Sequence, residues 1–150
     1  MNDKEDRAGF DASAARVNQI VQKEIDGGIP AHKIVIAGFS QGGALALHVA
    51  LRSAHALGGC ISLSSWLPLR ADYPAHLAPT AANLPILQVH GDADMVVSHR
   101  WGHESHKILK SMIPNPEPKF ITIEDMAHSS DPEEMREVTK FLKSVFGDNA

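Results

Sequence analysis

The chain has 150 residues, enough for a single domain (1–150) with a sizeable core, and its 43% apolar and 21% charged residues are ordinary for a globular protein. A formal net charge of -4 at pH 7 and a pI ≈ 6.1 disfavour nucleic acid or an anionic membrane surface as a partner. The single cysteine, Cys60, excludes a disulfide framework and a cysteine-based metal site; with neither an apolar leader nor a run of about 18 apolar residues, the expected setting is the cytoplasm, with no transmembrane segment.

Residues 1–10 are charged and aperiodic and read as a mobile start. From Asp11 the apolar positions Ala14, Val17, Ile20, Val21 and Ile25 follow helical spacing, and Gly27, Gly28 and Pro30 end that helix. Ile34–Phe39 is β-branched with no polar alternation, as in a strand covered on both faces. A helical apolar run follows to about Ser53. Cys60–Leu63 predicts a second strand after Gly58-Gly59, and Ser64 to Asn83, with Pro68, Pro74 and Pro79, a long irregular connection. Leu84–His90 predicts a third strand and Phe120–Glu124 a fourth, with a Ser98-capped helix between them. Asp131-Pro-Glu-Glu134 opens a last helix as N-cap, proline at N1 and Glu at N3, with Met135, Val138, Phe141, Leu142, Val145 and Phe146 on its apolar stripe. Strands alternating with helices imply an α/β class with about four parallel strands.

Chemistry concentrates where these strands end. Gly38-Phe-Ser40-Gln-Gly42 fits G-x-S-x-G, with a serine on a tight strand-to-helix turn and glycines where two segments cross closely. A bland alternative makes Ser40 a turn residue capping the helix. A nucleophilic serine needs a base and a carboxylate that orients it. The third strand runs into Asp92 and Asp94, and the fourth into His128, so all three kinds of group lie at equivalent ends of parallel strands. Spacing alone leaves Asp92 and Asp94 both open, since either could be a turn-forming Asx residue. His99, His103 and His106 share a helical face, but His103-Glu-Ser-His106 is one residue short of H-E-x-x-H, so a solvated face is expected and no metal. No phosphate-cradling glycine motif occurs, and no cofactor is expected. Trp66 and Leu67 line either the mouth of the site or the core.

Gly-Ile-Pro (28–30), Ile-Ala-Gly-Phe-Ser-Gln-Gly-Gly-Ala-Leu (36–45), Leu-Ser-Ser-Trp-Leu-Pro-Leu-Arg (63–70), Leu-Gln-Val-His-Gly-Asp-Ala-Asp (87–94) and Met-Ala-His-Ser-Ser (126–130) occur in one order. In that order the chain resembles the C-terminal two-thirds of the acyl-protein thioesterase, or phospholipase/carboxylesterase, family of α/β-hydrolases. The resemblance implies a three-layer α/β-hydrolase-like sandwich lacking the N-terminal third. It implies Ser40 as nucleophile, His128 as base and Asp94 as acid, Asp94 being assigned by the family's G-x-x-D-x-x-V at Gly91, Asp94 and Val97. It also implies the Gln41 N–H as one oxyanion donor, and acylated proteins, lysophospholipids or simple esters as substrates. The other oxyanion donor in the family comes from a His-Gly-Leu-Gly-Asp-like turn, and nothing before Ser40 matches it. Loss of one such donor costs roughly 10²–10³ in kcat. The family's serine-bearing strand is interior, so here Ile34–Phe39 is expected at an edge, which calls for a homodimer or a strand-swapped partner through it, or an incomplete gene product. Two functions follow: a serine hydrolase of thioesters or carboxylic esters, or a truncated, catalytically impaired relative that binds acyl chains or proteins.

Overall fold

The computed structural model describes residues 6–147. Helix α1 is Arg7–Asp26, beginning four residues before the expected Asp11. The Asp6 side chain caps it by accepting from the Gly9 N–H at 2.9 Å. Arg7 makes a paired ion contact with Asp72 at 2.6 and 2.7 Å, so charged residues that looked aperiodic are fixed by a distant carboxylate. Residues 6–10 therefore form a capped helix start, and residues 1–5 lie outside the described residues.

The remaining elements are β1 (Val35–Phe39), α2 (Gln41–Arg52), β2 (Gly59–Leu63), β3 (Ile86–Gly91), α3 (His99–Met112), β4 (Lys119–Ile123) and α4 (Pro132–Phe146). All four strands pair in parallel in the order β1-β2-β3-β4. The long connection after β2 is ordered into two 3₁₀ turns, Arg70–Asp72 and Pro79–Ala81. Arg52 at the end of α2 also reaches Asp72, at 2.8 Å, so one carboxylate ties α1 and α2 to this connection. The two arginines hold the Asp72 carboxyl well below the usual carboxylate range.

Strand side chains alternate between two cores, as the two-residue period of a strand requires. Cys60, Ile86 and Ile36 face Val21, Leu47, Leu51, Leu109 and Ile113 from α1, α2, α3 and the turn after α3. Ile61, Leu87, Val89 and Val35 face Phe141, Val138 and Leu142 of α4. The sheet thus lies between a layer of three helices and a layer holding α4. β2 and β3 are buried almost throughout, whereas β1 is only partly covered, and β1 and β4 are the sheet's edges. Among the described residues no helix is long and apolar enough to cross a membrane.

Candidate active site

Because every strand runs the same way, the residues following Phe39, Leu63, Gly91 and Ile123 gather at one end of the sheet. Ser40 follows β1 with φ 54 and ψ -124, a backbone conformation that costs a non-glycine residue about 1–3 kcal/mol. Neighbouring groups enforce it. The Ser40 N–H donates to Leu63 O at 2.8 Å, and its carbonyl accepts from the Ser65 hydroxyl at 2.6 Å and from the Gly43 N–H at 2.9 Å. Ser40 occupies the N-cap position of α2, but its side chain makes no capping bond. Its Oγ lies instead 3.0 Å from His128 Nε2.

His128 sits in the turn between β4 and α4. That turn is held by Asp92, whose Oδ1 accepts from the Asp125 N–H at 2.8 Å while Asp125 takes φ 57. The Phe39 ring packs on the His128 imidazole with centroids 4.7 Å apart, fixing its plane from the serine's own strand. His128 Nδ1 lies 2.7 Å from Asp94 Oδ2. A carboxylate there can only accept, so Nδ1 carries the proton and Nε2 is left to accept from the Ser40 hydroxyl.

The Asp94 side chain is fully buried, and its other oxygen accepts the Val96 and Val97 N–H groups at 2.9 and 2.8 Å. Burial pushes its carboxyl up, but the bonds from His128, Val97 and Val96 more than offset this and hold it below its ordinary value. The choice left open by spacing is thereby made: Asp94 faces the imidazole, and Asp92 ties the two turns together. Gln41 is the first residue of α2, so its N–H is among the helix donors that have no intrahelical acceptor. A cleft of about 360 Å³ lined by Asp6, Phe10, Ser13, Gln41 and Leu45 opens beside it.

Other sequence expectations need correction. Leu67 is 1% exposed in the core, and its N–H donates to Ser105 Oγ of α3 at 2.7 Å, so it does not line the mouth. Trp66 is half-buried. His99, His103 and His106 are not simply solvated, because all three rings pack around Phe120 of β4 at 5.4–5.7 Å. Among the described residues no group of three His, Cys, Asp or Glu side chains is placed to hold a metal ion. Cys60 is fully buried, and burial pushes its thiol up to about 12, which leaves it unreactive. Ser65, Asp92 and Phe39 support the serine and the histidine without a local motif of their own. All three do fall within the stretches that carry the family resemblance.

The family model for Phospholipase/Carboxylesterase matches residues 1–146. Acyl-protein thioesterase 1 of Mycosarcoma maydis is 36% identical over 97% of this chain, and acyl-protein thioesterase 1 homolog 1 of Dictyostelium discoideum 42% identical over 94%. The chain spans 65% and 62% of the length of those two relatives. Among solved structures, acyl-protein thioesterase 2 of Zea mays superposes with a TM-score of 0.83 at 32% identity, covering 97% of this chain and 69% of that one. SOBER1 of Arabidopsis thaliana gives 0.88 at 27% identity, covering 95% and 67%. Four parallel strands between helices, a serine on a strained strand-to-helix turn and these likenesses agree: the chain belongs to the phospholipase/carboxylesterase family and has the α/β-hydrolase fold.

Proposed function

We propose that the chain is a serine hydrolase of acyl thioesters or carboxylic esters, acting on S-acylated proteins or lysophospholipid-type lipid esters. The observation that carries this is the continuous relay from Ser40 Oγ through His128 to Asp94, at 3.0 and 2.7 Å. Ser40 Oγ attacks the acyl carbonyl as His128 Nε2 takes its proton. The tetrahedral oxyanion is met by the Gln41 N–H at the positive end of α2. Collapse expels the thiolate or alkoxide, which leaves with the proton from His128, and an ester on Ser40 remains. Water, deprotonated by His128, then attacks that ester and releases the carboxylic acid, restoring the serine. Asp94 holds the tautomer throughout and stabilises the imidazolium. Trp66, half-buried after β2, is the proposed acyl-channel residue.

A second reading is a module that binds acyl chains or proteins without turnover, since the chain spans only 65% and 62% of the length of the two thioesterase relatives. One experiment separates them. A fluorophosphonate probe is expected to label the chain on Ser40, p-nitrophenyl acetate to give a burst of nitrophenolate, and Ser40→Ala to abolish both. Absence of labelling in the folded wild-type chain would sink the hydrolase and leave the binding module.

A further inference from the structure

His90 is a titratable group that the proposed reaction does not use. It is the penultimate residue of β3 and is 1% exposed, deep beneath the acid turn. Its Nε2 lies 2.9 Å from the Val97 carbonyl, which can only accept, so His90 carries its proton on Nε2. The same nitrogen is 3.4 Å from Asp94 Oδ2, the oxygen that receives His128. On its other side the ring abuts α3: a Cβ at Gly102 would stand 2.4 Å from His90 Nδ1, and the His99 ring meets it edge-on at 5.6 Å. Sheet, helix and loop thus leave the imidazole one place.

The loop it grips wraps the catalytic carboxylate. Val96 and Val97 present their N–H groups to Asp94 Oδ1, and the Val97 carbonyl, on the far side of the same residue, is pinned by His90. From this geometry we infer that His90 is a positioning residue: by holding Val97 and flanking Oδ2, it fixes the rotation of the Asp94 carboxylate and through it the ring of His128. The charged and titratable groups facing it are Asp94, His99 and His128. Burial outweighs the pull of Asp94 and Val97 and keeps His90 below its ordinary value, so it stays a neutral donor.

The inference rests on the hydrolase reading only for its kinetic part, and the test separates the two. The chain is labelled with ¹⁵N-histidine, and the His128 Nδ1 proton is followed by NMR. In parallel, p-nitrophenyl acetate hydrolysis is measured for wild type, His90→Asn and His90→Gln. The asparagine amide reaches only the Nδ1 position beside Gly102, whereas the glutamine amide reaches the Nε2 position and can donate to Val97. His90→Asn is expected to lose the slowly exchanging His128 Nδ1 proton and about 10²-fold in kcat, the scale of a misplaced catalytic group, with KM little changed. His90→Gln is expected to retain both. Equal behaviour of the two variants, whether both like wild type, both impaired or both unfolded, overturns the inference and leaves His90 a packing residue. A wild-type chain that shows the proton but no turnover refutes the hydrolase and leaves the NMR comparison to decide on His90.

Discussion

Asp94 accepts three hydrogen bonds inside the protein. Its side chain is fully buried, yet His128 and two backbone N–H groups make the charged form the favoured one. Because its folded-state pKa lies below the value it has in an unfolded chain, the native state binds fewer protons around that value. Its stabilising contribution is therefore complete above the unfolded pKa of about 3.9 and is lost as pH falls through the lower, folded one. Asp94→Asn removes that contribution at neutral pH. The melting temperature of the variant should lie below wild type at pH 7, and the gap should narrow as pH falls below about 3.9; a gap that stays unchanged as the pH is lowered would show that the carboxylate does not stabilise the fold. Ester hydrolysis by the same variant should fall about 10⁴-fold, because an amide can present its N–H to His128 Nδ1 and trap the wrong tautomer. The strand-end turns that carry Ser40, Asp94 and His128 were legible in sequence, whereas the choice of Asp94 over Asp92 came only from the family resemblance. The supports of these residues were not legible. The bonds of Ser65 to Ser40 and of Asp92 to Asp125, and the tilted ring contact of Phe39 with His128, join residues far apart in the chain and leave no local pattern.

At the scale of elements, the strand–turn–helix from β1 through Ser40 to α2 shows which of its glycines the turn requires. The G-x-S-x-G pattern gives Gly38 and Gly42 equal standing, but their surroundings differ. A Cβ on Gly38 would come within 2.1 Å of the Gly42 carbonyl oxygen, a backbone atom that cannot step aside, whereas a Cβ on Gly42 meets nothing within 4 Å. Gly43, outside the pattern, is the tighter of the two helix glycines, since a Cβ there would stand 2.8 Å from Ser65 Cβ. Gly38→Ala should therefore cost about 3 kcal/mol of unfolding free energy through overpacking. Gly42→Ala should be neutral or gain about 0.5 kcal/mol from the better helix former. Urea denaturation midpoints read both, and a Gly42→Ala chain as unstable as Gly38→Ala would contradict this account. The elements themselves were largely readable, since β-branched runs bounded by glycine and proline mark the strands. What shifted were the ends. β3 begins at Ile86 rather than Leu84, because the Leu84 N–H is bonded to Ala81 O in the preceding turn. Helical spacing put His99, His103 and His106 on one face, but only the packing of α3 against β4 shows that Phe120 lies beneath it.

At the largest scale, the described residues form an open sheet whose two edges are unlike. β4 starts with an exposed lysine, Lys119, a charge of the kind that discourages pairing at an edge. β1 reads Val-Ile-Ala-Gly-Phe, with no charge and no proline, and among the described residues it pairs only with β2. Phe39 at its end is 39% exposed, and an apolar groove of about 210 Å³ lined by Val17, Ile36, Ala37, Leu45 and Val49 runs alongside it. Unpaired backbone donors and acceptors beside apolar side chains favour strand addition, and a second copy supplies the same edge with the same groove. A two-fold arrangement closes such a contact by placing β1 against β1 antiparallel, so that association stops at two chains. The expected outcome is a monomer–dimer equilibrium in sedimentation velocity, with the dimer fraction rising over a concentration series. Ala37 is exposed on this edge, so Ala37→Lys adds a charge where two copies would meet and disturbs little within one. The variant should sediment as a monomer at concentrations where wild type is dimeric, with an unchanged far-UV circular dichroism spectrum. Identical sedimentation of the two chains across the series would show that β1 is not the contact, and the edge would then be tolerated in water as it stands.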